Sequence, residues 1–408
     1  MRFTLALRLA ALALLLPRIA STASAQDADP GPDPECEPRA ATASTCEPPP
    51  FEAASPASSR DPVQLSLGAN FGCARAADGS VSCWGSCGND RCGSTGGDAP
   101  NPRAVPGLRE VTHVEAGFDF ACALRADRTV WCWGGNRHHQ LGVEGVESRL
   151  APAPVPGITD ARVLRLGSFH ACVLDGQGQT RCWGSNSAGA LGAPAAIERR
   201  ASPAPVPRLP RATALWVAGR TACIRDARSR LVCWGDSSDA QAGTSRRARR
   251  AGPTRVRNAP PAAAMSLGAQ HGCLLMGEGR LRCWGANFTH GDGVEFRSAP
   301  LELPGLSGVT ALSLHGENQC VVAAGRVLCW GVNRMHQLAV PTPEAGGVVL
   351  VPTAVPGLEG ATDVVVGRSA QCARLGSGQW RCWGRNVDGA VGVGSRDRRV
   401  ERPTRLRL

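Results

Sequence analysis

Short segments in which apolar and polar residues alternate recur along most of the chain. Segments 63–68 (VQLSLG), 111–117 (VTHVEAG) and 163–167 (VLRLG) are examples, and each ends in glycine. Alternation with a period of two predicts a strand that buries one face. Proline-rich segments such as 102–108 follow downstream, and proline suits an edge or outer strand. The pattern predicts an all-β chain with three or four short strands per unit.

The tripeptide Cys-Trp-Gly occurs seven times and marks the units. A second cysteine precedes each copy, and this first cysteine recurs at steps of 49, 50, 51, 50, 47 and 52 residues. Such a period indicates a propeller or a solenoid, and short strands repeated in this way favour a closed ring of sheets. The cysteine pairs are Cys73 and Cys83, Cys122 and Cys132, Cys172 and Cys182, Cys223 and Cys233, Cys273 and Cys283, Cys320 and Cys329, and Cys372 and Cys382.

The spacing within each pair predicts a hairpin closed by a disulfide. In the first repeat, a three-residue loop 77–79 places Cys73 opposite Cys83, and Gly79 supplies the left-handed backbone that the last loop position needs. Gly178, Gly279 and Gly378 occupy the same position, whereas Arg128 and Ser229 depart from it. The sixth pair is one residue closer, and a two-residue loop Ala324-Gly325 restores its pairing. Zinc is disfavoured because its ligands usually come together in fours at shorter spacings.

The remaining four of the 18 cysteines form two further predicted pairs. Cys87 and Cys92 make one local pair, and Cys36 and Cys46 close a small loop near the N-terminus. Disulfides in this number are typical of an oxidising compartment.

The N-terminal segment has the three regions of a secretory signal peptide. Arg2 and Arg8 precede an apolar run that is too short to span a bilayer, and small residues follow at 23–25. We therefore expect a signal peptide at 1–25, a disordered Pro/Ala/Ser-rich spacer at 26–62 and the repeats at 63–408. The expected location is secreted or periplasmic, without a transmembrane anchor.

The repeat resembles that of the regulator of chromosome condensation family. The best copy runs from Gly117 through Cys132-Trp133-Gly134-Gly135-Asn136 to Gln140-Leu141-Gly142, and His170 and His271 stand at that family's histidine position. The resemblance covers residues 63–408 and implies a seven-bladed β-propeller with one hairpin disulfide per blade. The cysteine pairs are typical of the family's exported bacterial branch. The GTPase-exchange activity of the nuclear members is not carried over, because no GTPase-contacting insertion can be matched.

Ring closure is predicted from the two ends of the repeat region. Residues 402–408 match the proline-rich outer segment, and no repeat follows them. We expect this C-terminal strand to complete the first blade.

The residues that could carry chemistry favour architecture instead. The seven tryptophans of the Cys-Trp-Gly motifs are regularly spaced and are expected to fill the wedges between blades. The histidines are scattered, and no pair has metal-ligand spacing with a carboxylate nearby. The inner strands are mostly aliphatic, whereas an enzyme at the central channel would need convergent acids or histidines. We expect no catalysis, no metal and no cofactor.

Arginine supplies all of the positive charge, because the formal net charge of +11 arises without lysine. Its densest run includes Arg246, Arg247, Arg249 and Arg250. No aromatic residues surround this run for base stacking, so nucleic acid is not an expected partner. A solvated loop and a contact for acidic glycans or lipids both remain open.

The function expected from the sequence is an exported binding module for an extracellular or envelope protein. The candidate contact loops are 87–92, 246–257, 288–296 and 341–349, and Phe288 and Phe296 are the aromatic candidates. The alternatives are an adhesive structural protein of the envelope and, less favoured, an enzyme at the central channel.

Overall fold

The repeats fold into seven antiparallel sheets of four strands each, arranged as the blades of a ring. The computed structural model describes residues 62–245, 247–286, 294–341 and 347–407. This architecture confirms the predicted all-β, seven-bladed propeller. Each repeat contributes one complete blade, with its strands in chain order from the channel outwards. The predicted signal peptide, Cys36 and Cys46 lie outside the described residues.

The first four blades occupy the chain up to residue 255. Blade 1 comprises β1 (Pro62–Leu67), β2 (Phe71–Ala76), β3 (Val81–Gly85) and β4 (Ala99–Ala104). Blade 2 comprises β5 (Val111–Ala116), β6 (Phe120–Arg125), β7 (Val130–Gly135) and β8 (Ser148–Pro154). Blade 3 comprises β9 (Ala161–Leu166), β10 (His170–Asp175), β11 (Thr180–Ser185) and β12 (Arg199–Pro205). Blade 4 comprises β13 (Ala212–Ala218), β14 (Thr221–Asp226), β15 (Leu231–Ser237) and β16 (Ala248–Arg255).

The last three blades complete the ring. Blade 5 comprises β17 (Ala264–Leu267), β18 (His271–Leu275), β19 (Leu281–Ala286) and β20 (Phe296–Glu302). Blade 6 comprises β21 (Val309–His315), β22 (Asn318–Ala323), β23 (Arg326–Val332) and β24 (Val348–Ala354). Blade 7 comprises β25 (Ala361–Val366), β26 (Ala370–Leu375), β27 (Trp380–Arg385) and β28 (Arg399–Arg405). Short 3-10 turns are Gly88–Asp90, Ser187–Gly189, Gly277–Gly279 and Val387–Gly389. In the described ranges, no helix has the length and apolarity needed to cross a bilayer.

The hairpin register agrees with the prediction in every blade. Cysteines face each other across the second and third strands, and the Cα atoms of the seven pairs are 4.0–4.2 Å apart. That separation is typical of a non-hydrogen-bonded pair, where antiparallel strands approach most closely. In blade 6, Ala324 and Gly325 have φ values of 49° and 71°, which suits the predicted two-residue loop. Cys87 and Cys92 form the eighth disulfide of the described residues.

The tryptophans of the Cys-Trp-Gly motifs are buried between neighbouring blades, as predicted. The indole Nε1 of Trp183 donates a hydrogen bond of 2.9 Å to the carbonyl of Gln140 in the preceding blade. Gly142 has a φ of 76° and lies so close to Val155 and Trp183 that a Cβ atom would collide with the valine. The Gln-Leu-Gly signature therefore shapes a turn that receives the next blade's indole. Four more tryptophans donate to the preceding blade in this way: Trp84, Trp133, Trp234 and Trp284.

A buried asparagine organises the turn that follows Cys-Trp-Gly. The Asn136 Oδ1 accepts a hydrogen bond of 2.9 Å from the Leu141 amide, and its Nδ2 donates to two carbonyls of the following loop. Asn186, Asn333 and Asn386 make the same bond five residues along. In blade 1, Cys87 stands at this position, and its disulfide to Cys92 links residues with the same separation.

The predicted mode of ring closure is wrong. β28 pairs with β27 within blade 7, and blade 1 takes its outer strand, β4, from its own repeat. No position therefore remains for a C-terminal strand in blade 1. The two blades instead meet through hydrogen bonds between loops and indoles. The Trp380 indole donates to the Pro62 carbonyl at 2.9 Å, the Trp84 indole donates to the Ala390 carbonyl at 3.1 Å, and the Gly394 amide donates to the Pro100 carbonyl at 2.9 Å.

Candidate binding face and central channel

One ring of residues from the innermost strands lines the central channel. Each lies seven residues before the first cysteine of its repeat and pairs with that cysteine across the sheet. Together they surround a cavity of about 550 Å³. We call this set the channel ring: Ser66, Glu115, Arg165, Trp216, Ser266, Ser313 and Val365.

A hydrogen-bond network on blades 1 and 2 fixes the orientation of Glu115. The Gln64 amide accepts from the Val114 N–H at 3.1 Å and donates to the Val114 carbonyl at 2.9 Å, which settles which end of the amide donates. Its Nε2 also lies 2.9 Å from His113 Nδ1, so that this ring nitrogen is the acceptor. The other ring nitrogen, Nε2, then donates to Glu115 Oε1 at 2.7 Å.

Arg165 of blade 3 completes the network. Its Nη1 lies 3.2 Å from Glu115 Oε1 and 2.8 Å from the Leu164 carbonyl. Burial by itself would raise the pKa of Glu115, but the hydrogen bond from His113 and the charge of Arg165 outweigh it and lower that pKa. The carboxylate is therefore held ionised against the guanidinium, and the two charges cancel within the channel ring.

The inner strands are less aliphatic than the sequence analysis expected, because they carry this polar network. His113, Glu115 and Arg165 come from neighbouring blades and are up to 52 residues apart in the sequence. The signal that could have revealed it is the shared offset: residues equally far from their repeat's first cysteine meet around the channel.

The face at one end of the channel carries a line of aromatic and basic side chains. The ring centroids of Phe118 and Phe169 are 5.0 Å apart, and those of His138 and Phe169 are 4.7 Å apart. The Arg368 guanidinium lies 5.3 Å from the centre of the Phe118 ring. We call these four residues the aromatic row. Phe118 and Phe169 are half-buried, whereas His138 and Arg368 are exposed.

A second cavity, of about 710 Å³, lies beside the aromatic row. An ion pair on its wall joins the exposed Arg220 to the buried Asp236, with 2.5 Å between Nη2 and Oδ2. The other carboxylate oxygen of Asp236 accepts bonds from the backbone and the hydroxyl of Ser238. This cavity and the channel cavity share Phe118 and Arg368 in their walls, so that the channel opens onto the face.

Two histidines of the repeats are structural, as predicted. His170 and His271 are buried where Phe71 and Phe120 lie in blades 1 and 2, each packed against the glycine three residues earlier. Burial lowers the pKa of both histidines to about 4. They are neutral at physiological pH and belong to the packing of their blades.

The predicted contact residues of the arginine run lie away from the channel cavities and reach neighbouring blades. Arg247 donates to Glu295 at 2.9 Å and lies 4.6 Å from the centre of the Phe296 ring. Arg250 donates to the carbonyls of Asn186 and Ala193 in blade 3. Arg249 is exposed on β16. Arg246 and Phe288, with residues 288–293 and 342–346 of the candidate loops, lie outside the described residues.

The fold and these repeats define a disulfide-bonded seven-bladed propeller. Models of the "Regulator of chromosome condensation (RCC1) repeat" match residues 111–140, 127–174 and 262–291. These matches identify repeats of that kind in the chain, in agreement with the resemblance seen in its sequence. Its eight described disulfides indicate an oxidising, non-cytoplasmic environment.

Solved structures share the fold at low sequence identity. Prp20p from Saccharomyces cerevisiae has a TM-score of 0.71 and 20% identity, over 84% of this chain and 87% of that one. Human WBSCR16 has a TM-score of 0.57 and 17% identity, over 86% and 83%. The ectodomain of the Arabidopsis thaliana receptor kinase ACR4 has a TM-score of 0.50 and 17% identity, over 84% and 97%. No curated protein sequence matches the chain.

Proposed function

We propose that the protein is an exported, non-catalytic module that binds a protein partner through the face carrying the aromatic row. The observation that carries this proposal is the line of Arg368, Phe118, Phe169 and His138 beside a cavity of about 710 Å³. Aromatic residues and arginine are enriched where protein interfaces concentrate their binding energy. A concave surface next to such a row suits a projecting loop or side chain of the partner.

The loops that carry the row are held in place before any partner arrives. The Phe118 amide donates to the Ser168 carbonyl at 3.0 Å, which ties the loop of blade 2 to that of blade 3. Gly117 closes its own turn onto Phe120, and a disulfide staples the hairpin that follows. A preorganised surface loses little conformational entropy on association, so more of the contact energy appears as affinity.

One fold relative supports a protein as the partner class. Prp20p was characterised by its binding to Gsp1p and histones. The contacts of Arg247 and Arg250 with neighbouring blades weigh against the alternative, adhesion of the arginine run to acidic glycans or lipids.

Comparative affinity capture tests the proposal. The oxidised full chain, the double variant Phe118→Ala/Phe169→Ala and the control Val351→Ser are each exposed to secreted and envelope proteins of the source organism. Val351 is a suitable control because it is 66% exposed and lies on outer strand β24, away from the face. Mass spectrometry should find a protein retained at high salt by the wild type and the control, but lost by the double variant.

Two outcomes would contradict the proposal. The double variant could retain the same proteins as the wild type, which would place the contact elsewhere. Retention of polyanions only, abolished by salt, would assign binding to the arginine run.

A further inference from the structure

The channel cavity has the dimensions of a small-molecule site and lies deeper than the proposed protein-binding face. Its volume of about 550 Å³ is within the range of about 300–1,000 Å³ that is usual for ligand pockets. All seven blades contribute to its wall, so hairpin disulfides and inter-blade contacts hold its shape. Nothing in the proposed protein contact uses the channel ring.

The charged groups of the channel ring favour an uncharged ligand. Glu115 and Arg165 neutralise each other, so this part of the wall has no net charge to attract an ion. Among the described residues, every hydrogen bond of the Glu115 carboxylate involves Oε1, and the hydrogen bonds that Arg165 donates to Glu115 and to the Leu164 carbonyl both involve Nη1. The second carboxylate oxygen and the remaining guanidinium N–H groups are therefore an acceptor and donors side by side. Vicinal hydroxyl groups, which both donate and accept, match that arrangement.

Three serines add oriented hydroxyl groups to the same ring. The oxygen of each accepts the backbone N–H of the next blade's inner strand, which fixes its position and leaves its hydrogen to donate. The bonds join Ser66 to Ala116 at 2.9 Å, Ser266 to Leu314 at 3.0 Å and Ser313 to Val366 at 2.9 Å. The short side chains of Ser266 and Ser313, on blades 5 and 6, also keep the wall across the ring from Glu115 and Arg165 open.

Trp216 supplies a flat apolar surface in the channel ring. It follows Arg165 around the ring and is half-buried, unlike the tryptophans between the blades. The Arg225 guanidinium lies 5.6 Å from its ring centre, so its positive charge disfavours a second cation beside this indole. A ligand with an apolar ring face and polar edges fits beside it better than an ammonium ion.

We propose that the channel binds a neutral mono- or disaccharide, with a pyranose ring against Trp216 and hydroxyl groups on Glu115, Arg165 and the serines. Gln64 and His113 act as positioning residues, because their hydrogen bonds hold the Glu115 carboxylate in place. This site does not depend on a protein partner, so either proposal can fail alone.

Isothermal titration of the oxidised full chain tests the sugar site. The probes are glucose, galactose, mannose, N-acetylglucosamine, maltose, cellobiose and chitobiose, with choline chloride as the cationic comparison. At least one sugar should bind. Trp216→Ala should lower the affinity for that sugar by about tenfold or more, which corresponds to a loss of about 1.4 kcal/mol of binding free energy. Glu115→Gln keeps the shape of the side chain and should lower the affinity for the same sugar. Because the shape is kept, a weaker affinity reports the loss of the acceptor charge rather than misfolding.

Trp131→Ala is the matched control. Trp131 is also half-buried beneath an arginine, with the Arg125 guanidinium 5.2 Å from its ring, but it lies on β7 outside the channel cavity. This variant should bind the sugar like the wild type. The proposal is overturned if no sugar binds, if choline alone binds, or if both Trp216→Ala and Glu115→Gln leave the affinity unchanged.

Discussion

Trp183 shows at the scale of one residue how the ring is held together. Its indole is fully buried, and its one polar group reaches the Gln140 carbonyl of the preceding blade. Burial of an aromatic ring supplies most of the stabilisation, and the hydrogen bond keeps a carbonyl from being buried without a partner.

Replacing Trp183 by Phe should lower the free energy of unfolding by about 1–3 kcal/mol, because the Gln140 carbonyl loses its donor. Chemical denaturation of the oxidised protein measures the difference. Trp131→Phe is the comparison, since the Trp131 indole donates only to the nearby Thr129 hydroxyl at a half-buried site. Equal losses for the two variants would show that the inter-blade hydrogen bond contributes nothing specific.

His170 predicts a pH dependence at the same scale. Burial holds its pKa at about 4, below the ordinary 6.5, so the unfolded chain binds the proton more readily than the folded one. This contribution to stability is complete above pH 6.5 and is lost as the pH falls towards 4, by up to about 3 kcal/mol.

His170→Phe should make the loss of stability between pH 7 and pH 4 smaller, because phenylalanine cannot bind a proton. The substitution should fit, since Phe71 and Phe120 fill the equivalent site in blades 1 and 2. Urea denaturation at a series of pH values measures it. An unchanged pH profile would mean that the imidazole is not buried neutral.

The turn after Cys-Trp-Gly shows at the scale of one element how two chemistries perform the same task. Asn136 closes its turn with a hydrogen bond to the Leu141 amide, and blade 1 closes its turn with the Cys87–Cys92 disulfide over the same separation. A short disulfide loop stabilises by roughly 2–3 kcal/mol through the unfolded state, whereas a buried hydrogen bond contributes about 1 kcal/mol.

The pair Cys87→Asn/Cys92→Leu should therefore recover part of the stability that Cys87→Ser/Cys92→Ser loses. Asparagine and leucine restore the residues that blade 2 uses at these positions. Thermal unfolding should rank the wild type first, the Asn/Leu variant second and the Ser/Ser variant last. If the two variants melt together, the asparagine bond cannot replace the disulfide.

The hairpins could be predicted residue by residue because their constraints are local. The spacing of Cys320 and Cys329, together with the glycine at 325, leaves a single register that pairs the cysteines, and the structure has that register. Ring closure failed as a prediction because it depends on which sheet an outer strand joins. The segment 402–408 looks the same whether its strand completes blade 1 or blade 7.

At the scale of the whole molecule, ring closure brings together residues that lie far apart in the sequence. Arg368 of blade 7 reaches Phe118 of blade 2, and Glu115 meets Arg165 of blade 3. Neither contact follows from any single repeat, because it depends on side chains at equivalent positions of different blades. The aromatic row and the channel ring therefore could not be predicted from each repeat considered separately.

Hydrogen–deuterium exchange of the oxidised protein, with and without the captured partner, tests the central claim that the face carrying the aromatic row binds a protein. We expect slower exchange in the loops at 117–120, 167–170 and 367–370, with hairpin loops such as 126–129 unchanged. Protection confined to those hairpin loops or to the outer strands, with the loops of the face exchanging as before, would contradict it.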